Sequence, residues 1–184
     1  MFNPPSNYLS EHESERLLIR PVTMADATEW LHFVSDPLAM QHYPPKLAGG
    51  LEAANVWIEG QLDRYRNGTF GLHSLVDKAT GAYVGQCGLL AHVVEEQPML
   101  EIGYSLMRSA WGKGYATEAA QWFRNYGFEN ELAPSIVSLI HAANVPSQKV
   151  AERNGMHRGA PARWRGMTLF VYKIERTHWV QAYQ

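Results

Sequence analysis

A chain of 184 residues is long enough to bury one hydrophobic core, and 46% hydrophobic against 18% charged residues is globular rather than disordered composition. A formal net charge of -2 implies no general attraction to nucleic acid or to anionic lipid. The lone Cys87 excludes an internal disulfide, and its apolar setting, Val84 to Leu90, reads as packing. No apolar run approaches the ~18 residues of a membrane span and no secretory leader pattern opens the chain, so a cytoplasmic protein is expected.

One domain over 1–184 is expected, with residues 1–15, rich in Asn, Pro, Ser and Glu, as a loosely held lead-in. Arg16 to Arg20 reads as a first strand closed by Pro21. Thr23, with Asp26 three residues on, reads as the capped start of a helix that carries Trp30, Phe33 and Val34 and stops before Pro37. After a proline-bearing loop, Leu51 to Arg66 has helical apolar spacing and ends at Asn67-Gly68. Phe70 to Val76 and Ala82 to Leu90 read as a hairpin, and Leu100 to Met107 as a third strand after a break at 95–98. A glycine turn leads into a helix over 116–129. A strand over 135–142, a short helix over 145–154 and a last strand over 168–175 follow. This order predicts an α/β three-layer domain.

The stretch Leu100 to Ala120 carries the chemistry. A strand runs into Trp111-Gly112-Lys113-Gly114 and directly into a helix. Such a turn offers backbone N–H groups and the partial positive charge of a helix start, which suit a pyrophosphate, and glycines let the backbone approach it. Thr117 can add a hydroxyl. The plainer reading is a tight strand-to-helix turn. The spacing is neither a Walker A loop nor Gly-x-Gly-x-x-Gly, because Thr117 stands in place of the third glycine.

Glu101-Ile102-Gly103-Tyr104-Ser105-Leu106 followed by Trp111-Gly112-Lys113-Gly114-Tyr115-Ala116-Thr117 resembles the acetyl-CoA signature of the GNAT acetyltransferases. The resemblance is nearest to the Rim-type branch, which includes ribosomal-protein N-terminal acetyltransferases. Trp111 departs from the superfamily's usual Gln/Arg. A second block, Asn144-Val145-Pro146-Ser147 through Glu152-Arg153-Asn154-Gly155-Met156, resembles the family's Asn-x-x-Ser helix.

The resemblance implies a GNAT-type three-layer fold: a mixed, mostly antiparallel sheet of about six or seven strands with helices on both faces. It implies acetyl-CoA as cosubstrate, held by Leu106, Met107, Trp111, Gly112, Lys113, Gly114, Tyr115, Ala116, Thr117, Asn144 and Ser147. Backbone N–H at Leu106-Met107 would act as an oxyanion hole, with the neighbouring strands splayed around the pantetheine arm. Glu101 is the expected base, sharing a strand face with Gly103 and Ser105; its other reading is a solvated strand glutamate. Many relatives protonate the thiolate with a tyrosine seven residues beyond the helix asparagine. Ala151 stands there, leaving Ser147, which reads equally as a helix-capping serine. Asn144 reads as a pantetheine contact or a turn residue, and Arg153 as a phosphate contact.

The eight histidines show no metal spacing, so no metal is expected; His73 and His92 read as structural or as lining the acceptor side. The acceptor is a primary amine, either a peptide or protein N-terminus or a small molecule. An α-amine (pKa about 7.7–8.0) is partly neutral at pH 7, whereas a lysine amine (about 10.4) needs a committed base. Aromatic and arginine-bearing stretches over 30–66 and 159–167 are expected to wall the acceptor site. The assembly is a monomer or homodimer. The alternative is an acyl-CoA-binding regulator without turnover.

Overall fold

The computed structural model describes residues 2–183. Eight strands form one sheet: β1 (His12–Glu13), β2 (Leu17–Pro21), β3 (Leu72–Asp77), β4 (Tyr83–Val94), β5 (Gln97–Leu106), β6 (Ser135–His141), β7 (His157–Trp164) and β8 (Met167–Glu175). Their order is β1-β2-β3-β4-β5-β6-β8-β7, antiparallel throughout except at the β5–β6 junction. The helices are α1 (Ala27–Val34), α2 (Pro37–Met40), α3 (Leu51–Arg66), α4 (Tyr115–Glu129), α5 (Val145–Arg153) and α6 (Arg176–Tyr183).

Strand alternation sorts the two faces. Register pairs Leu89 with Ile102 and Cys87 with Tyr104, and this face lies under α4, where Leu89 and Ile136 line the site opposite Gly127. Gln86 pairs with Ser105 on the other face, where α3 supplies Trp57, whose Nε1 donates to Gln86 Oε1 at 3.0 Å. Trp30 of α1 is fully buried and stacks on Phe33 with ring centroids 4.3 Å apart. Helices therefore cover both faces, as expected. Thr23 does start the first helical segment: its N–H donates to Asp26 (2.8 Å), which also receives a two-pronged Arg20 guanidinium at 2.9 and 2.6 Å and Ser74 Oγ at 2.9 Å. Burial alone would raise the Asp26 pKa, but these donors hold it below the ordinary value.

Several boundaries differ from the sequence reading. The expected break at 95–98 is a tight turn: Glu95 and Glu96 take positive φ (47° and 67°), the twist that joins two antiparallel strands, and pairing resumes at Gln97. Pro98 fits within β5 because it sits opposite Val93 at a position whose N–H does not point to β4. Residues 159–167, expected as loop, are mostly β7 and its turn into β8. The strand was masked by Gly159 and Pro161, which a sheet-edge strand tolerates at the register shift between Arg158 and Pro161. Short β1 and α2, and α6, were also missed, so the sheet has eight strands rather than six or seven. The lead-in is pinned. Tyr8 is buried, its hydroxyl donating to Gly71 O (2.7 Å) and accepting from Leu89 N–H (2.9 Å), an N–H that the β4–β5 ladder leaves unused.

Candidate active site

The sheet opens at its one parallel junction. β5 and β6 share a single registered pair, Glu101 with Val137. In a parallel ladder the next rung would take Leu139 N–H to Ile102 O. Two side chains pre-empt it: Glu101 Oε1 accepts from Leu139 N–H at 3.3 Å, and Ser138 Oγ donates to Ile102 O at 2.8 Å. Beyond that point no residue of β6 stands in register with β5. Met107 N–H donates to Val84 O at 3.0 Å, and by ladder alternation the N–H groups of Tyr104 and Leu106 point into the gap. The sequence reading named Leu106 and Met107 as oxyanion donors. The ladder consumes the Met107 donor, while the Leu106 and Tyr104 N–H groups both face the gap.

The gap leads to the glycine turn. Gly112 (φ 73°) and Gly114 (φ 85°) both lie in the left-handed region, where a side chain costs about 1–2 kcal/mol. The first bond of α4 runs from Glu118 N–H to Gly114 O. The N–H groups of Gly112, Lys113, Gly114, Tyr115, Ala116 and Thr117 find no acceptor among the described residues. Six consecutive free donors at a helix start form an anion cradle. Arg16 braces it from behind: its side chain donates to Lys113 O (2.9 Å) and to Glu118 Oε2 (2.7 Å) and lies 4.6 Å over the Tyr115 ring. Trp111 is 45% exposed, and its Nε1 donates to Leu106 O at 2.9 Å, holding the indole at the mouth of the gap.

Across the gap stands α5. Asn144 caps it by accepting the Ser147 N–H at 3.2 Å, the turn reading of that residue. The capping role therefore falls to Asn144 rather than Ser147. The Ser147 carbonyl accepts from Tyr104 OH at 2.8 Å, and the Ser147 side chain also meets the same phenol. That tie crosses from β5 to α5 and sets the position of Ser147 against the slot. Burial holds the Tyr104 pKa well above the ordinary value, so the phenol stays a donor.

On the face toward α3, Glu101 is buried (8% exposed) and shares its side with Gly103 and Ser105. Its Oε2 lies 2.9 Å from His92 Nε2, whose ring packs 4.6 Å from Trp164. Tyr43, carried by the α2–α3 loop, meets Ser105 Oγ at 2.5 Å; burial first, then the Glu101 charge, raises its pKa. His42 stacks on His141, ring centroids 5.3 Å apart; burial and then the facing imidazole lower its pKa. Among the described residues no group of three or more His, Cys, Asp or Glu is placed to hold a metal, and no helix is long and apolar enough to cross a membrane.

Comparison with known proteins decides the family. The family model described as Acetyltransferase (GNAT) domain matches residues 16–157. The chain belongs to the GNAT acetyltransferases. It is 32% identical over 164 residues to YkkB of Bacillus subtilis (strain 168), covering 87% of this chain and 92% of that one. An acetyltransferase structure from Agrobacterium tumefaciens str. C58 aligns with TM-score 0.74 and 28% identity over 95% of this chain and 96% of that chain. A Rim-type neighbour, the ribosomal-protein alpha-N acetyltransferase RimL solved with coenzyme A, shares the fold at TM-score 0.73 and 17% identity, over 88% and 95% of the two chains.

In this GNAT acyltransferase several other expectations resolve. Cys87 is buried and burial pushes its thiol pKa up, which leaves it a packing residue. His73 is buried at Tyr8 O (2.8 Å) on the α4 face, away from Glu101. Trp57 and Tyr65 bond inward, to Gln86 and to Leu72 O, whereas Trp164 packs against His92 and Tyr43 meets Ser105 on the Glu101 face. Arg153 is exposed and makes no ion pair among the described residues. The sequence reading missed Tyr104, Ser138 and Arg16, and weighed His92 only as one of two candidates. For Tyr104, Ser138 and His92 the available signal was polar residues within otherwise apolar strands.

Proposed function

We propose that this GNAT enzyme transfers an acetyl group from acetyl-CoA to a primary amine, of a peptide or protein N-terminus or a small molecule, by direct attack on the thioester. The observation that carries the reading is the order of three features along β5 and the turn that follows it: a buried carboxylate, the β5–β6 gap, and six free N–H donors at the glycine turn. The cradle from Gly112 to Thr117 suits a pyrophosphate, Trp111 flanks the arm that follows, and the gap admits an extended chain. The printed description of RimL, a complex with coenzyme A, supports the same donor.

Within that reading each residue has one task. Tyr104 and Leu106 N–H are the donors for the oxygen that gains charge as the amine adds to the carbonyl. Glu101 takes the amine proton; a carboxylate has about four lone-pair sites, and the Leu139 N–H engages only one, with His92 Nε2 2.9 Å from the other oxygen. The Ser147 hydroxyl donates to the departing sulfur, with Asn144 and Tyr104 holding its backbone. A second reading, a non-catalytic acyl-CoA binder, is favoured by Ala151, which is buried where many relatives carry the proton-donating tyrosine.

Thiol release from acetyl-CoA across a panel of amines and peptides tests both. Turnover with at least one amine is expected. Glu101→Gln should lower kcat by about 10²-fold or more for lysine-like amines and by about tenfold for α-amines, following their need for a base. Coenzyme A binding without thiol release from any acceptor overturns the catalytic reading in favour of the binder. Equal loss for both amine classes overturns Glu101 as base.

A further inference from the structure

We propose that His92 is the proton relay of this site: it acts through Glu101, taking up at Nε2 the proton that Glu101 removes from the acceptor. This rests on the acetyl-transfer reading above. The need follows from proton balance. An acceptor arriving as an ammonium loses one proton to become a nucleophile and a second when the amide forms. The departing thiolate takes back one. One proton per turnover must therefore leave a carboxylate that is 8% exposed, and a Glu101 left protonated is no base for the next cycle.

The geometry provides one way out. Glu101 Oε1 is engaged by the Leu139 N–H, which cannot accept a proton. Oε2 faces His92 Nε2 at 2.9 Å, and that nitrogen is buried with no in-line hydrogen bond to any protein group. The ring is held there by Trp164, which carries the Arg165 guanidinium 4.3 Å above its own ring. The diagonal register places the two side chains together, since Leu90 is paired with Glu101 and His92 lies two residues further on the same face.

The other titratable and charged groups facing the pair do not substitute for it. Tyr43, on the α2–α3 loop, and Tyr104, on β5, are held protonated by burial. Arg64 on α3 and Arg165 in the β7–β8 turn are permanent cations; burial, then Arg165, weakens the hold of Arg64 on its proton, while Glu101 strengthens it.

The test uses wild type, His92→Gln and His92→Ala with the best acceptor found in the thiol-release panel. Wild-type turnover is the precondition, and its absence defeats the acetyl-transfer reading rather than this one. Coenzyme A affinity is measured alongside, and a value within twofold of wild type certifies a folded donor site. The expected result is a fall in kcat of about tenfold or more in both variants, with kcat then rising with added imidazole, which carries the proton in place of the missing ring. Wild type should not respond to imidazole. A kcat within threefold of wild type, or a larger fall that imidazole does not relieve in either variant, overturns the proposal.

Discussion

Arg16→Ala probes whether the brace behind the glycine turn sets donor affinity. The side chain reaches three things: Lys113 O, the Glu118 carboxylate and the Tyr115 ring. It is 42% exposed, so its ion pair contributes only about 0.5–1 kcal/mol. The hydrogen bond to Lys113 O adds about 1 kcal/mol and the ring contact about 0.5–1 kcal/mol. Glu118 keeps Ser14 Oγ (2.6 Å) and the backbone N–H of residue 16 (2.7 Å), so α4 itself should survive. What changes is the turn. Gly112, Lys113 and Gly114 lose their anchor, and ordering each again on binding costs about 1 kcal/mol. Glu118 is meanwhile left as an uncompensated anion near the anion cradle. Together these predict an affinity loss of about 1.4–2.8 kcal/mol, or about 10–100-fold in the Kd for coenzyme A. Calorimetric titration of coenzyme A into wild type, Arg16→Lys and Arg16→Ala measures it, with the lysine variant expected in between because it keeps the charge but loses the fork. A Kd for Arg16→Ala within twofold of wild type would refute the argument, whatever happens to its Tm.

Two further outcomes follow from the split and from the core. Ser138→Ala frees Ile102 O to take the Leu139 N–H, closing the sheet by one rung; KM for acetyl-CoA should rise about threefold or more with folding stability little changed, and slower amide exchange at Leu139 would mark the new bond. An unchanged KM would mean that Ser138 does not hold the gap open. Burial lowers the His73 pKa to about 4, below the unfolded value of about 6.5. Because the unfolded chain binds the proton first, His73 contributes its full stability above pH ~6.5 and loses about 3 kcal/mol of it as pH falls toward ~4. Urea unfolding across that window should show the loss, and His73→Gln should flatten it; parallel curves for the two proteins would contradict the assignment.

Much of the donor side was legible in the sequence. Helix α3 appears over Leu51–Arg66 as read, because its apolar spacing, its length and the Asn67-Gly68 stop agree. The strand, glycine turn and helix from Glu101 to Thr117 were legible for a local reason: positive φ at Gly112 and Gly114 and free donors at a helix start are properties of consecutive residues. The β7 strand was not, since Gly159 and Pro161 suppress the strand signal and only pairing with β8 rescues it. The hairpin at Glu95-Glu96 was hidden likewise, because two glutamates accept left-handed geometry only when the flanking strands impose it.

The site separates the two kinds of information. By itself the sequence determined the fold class, the exposed N–H groups of the glycine turn, and the shared strand face of Glu101, Gly103 and Ser105, all consequences of short-range periodicity and backbone freedom. Only the tertiary structure decided that Met107 spends its N–H on Val84, that Tyr104 ties Ser147 in place, that Ser138 and Glu101 take the Ile102 carbonyl and the Leu139 N–H, and that His92 faces the carboxylate. Each of these depends on which groups meet across strands. A hydrogen bond is selected by register and distance between distant parts of the chain, and neither is a property of any window of residues.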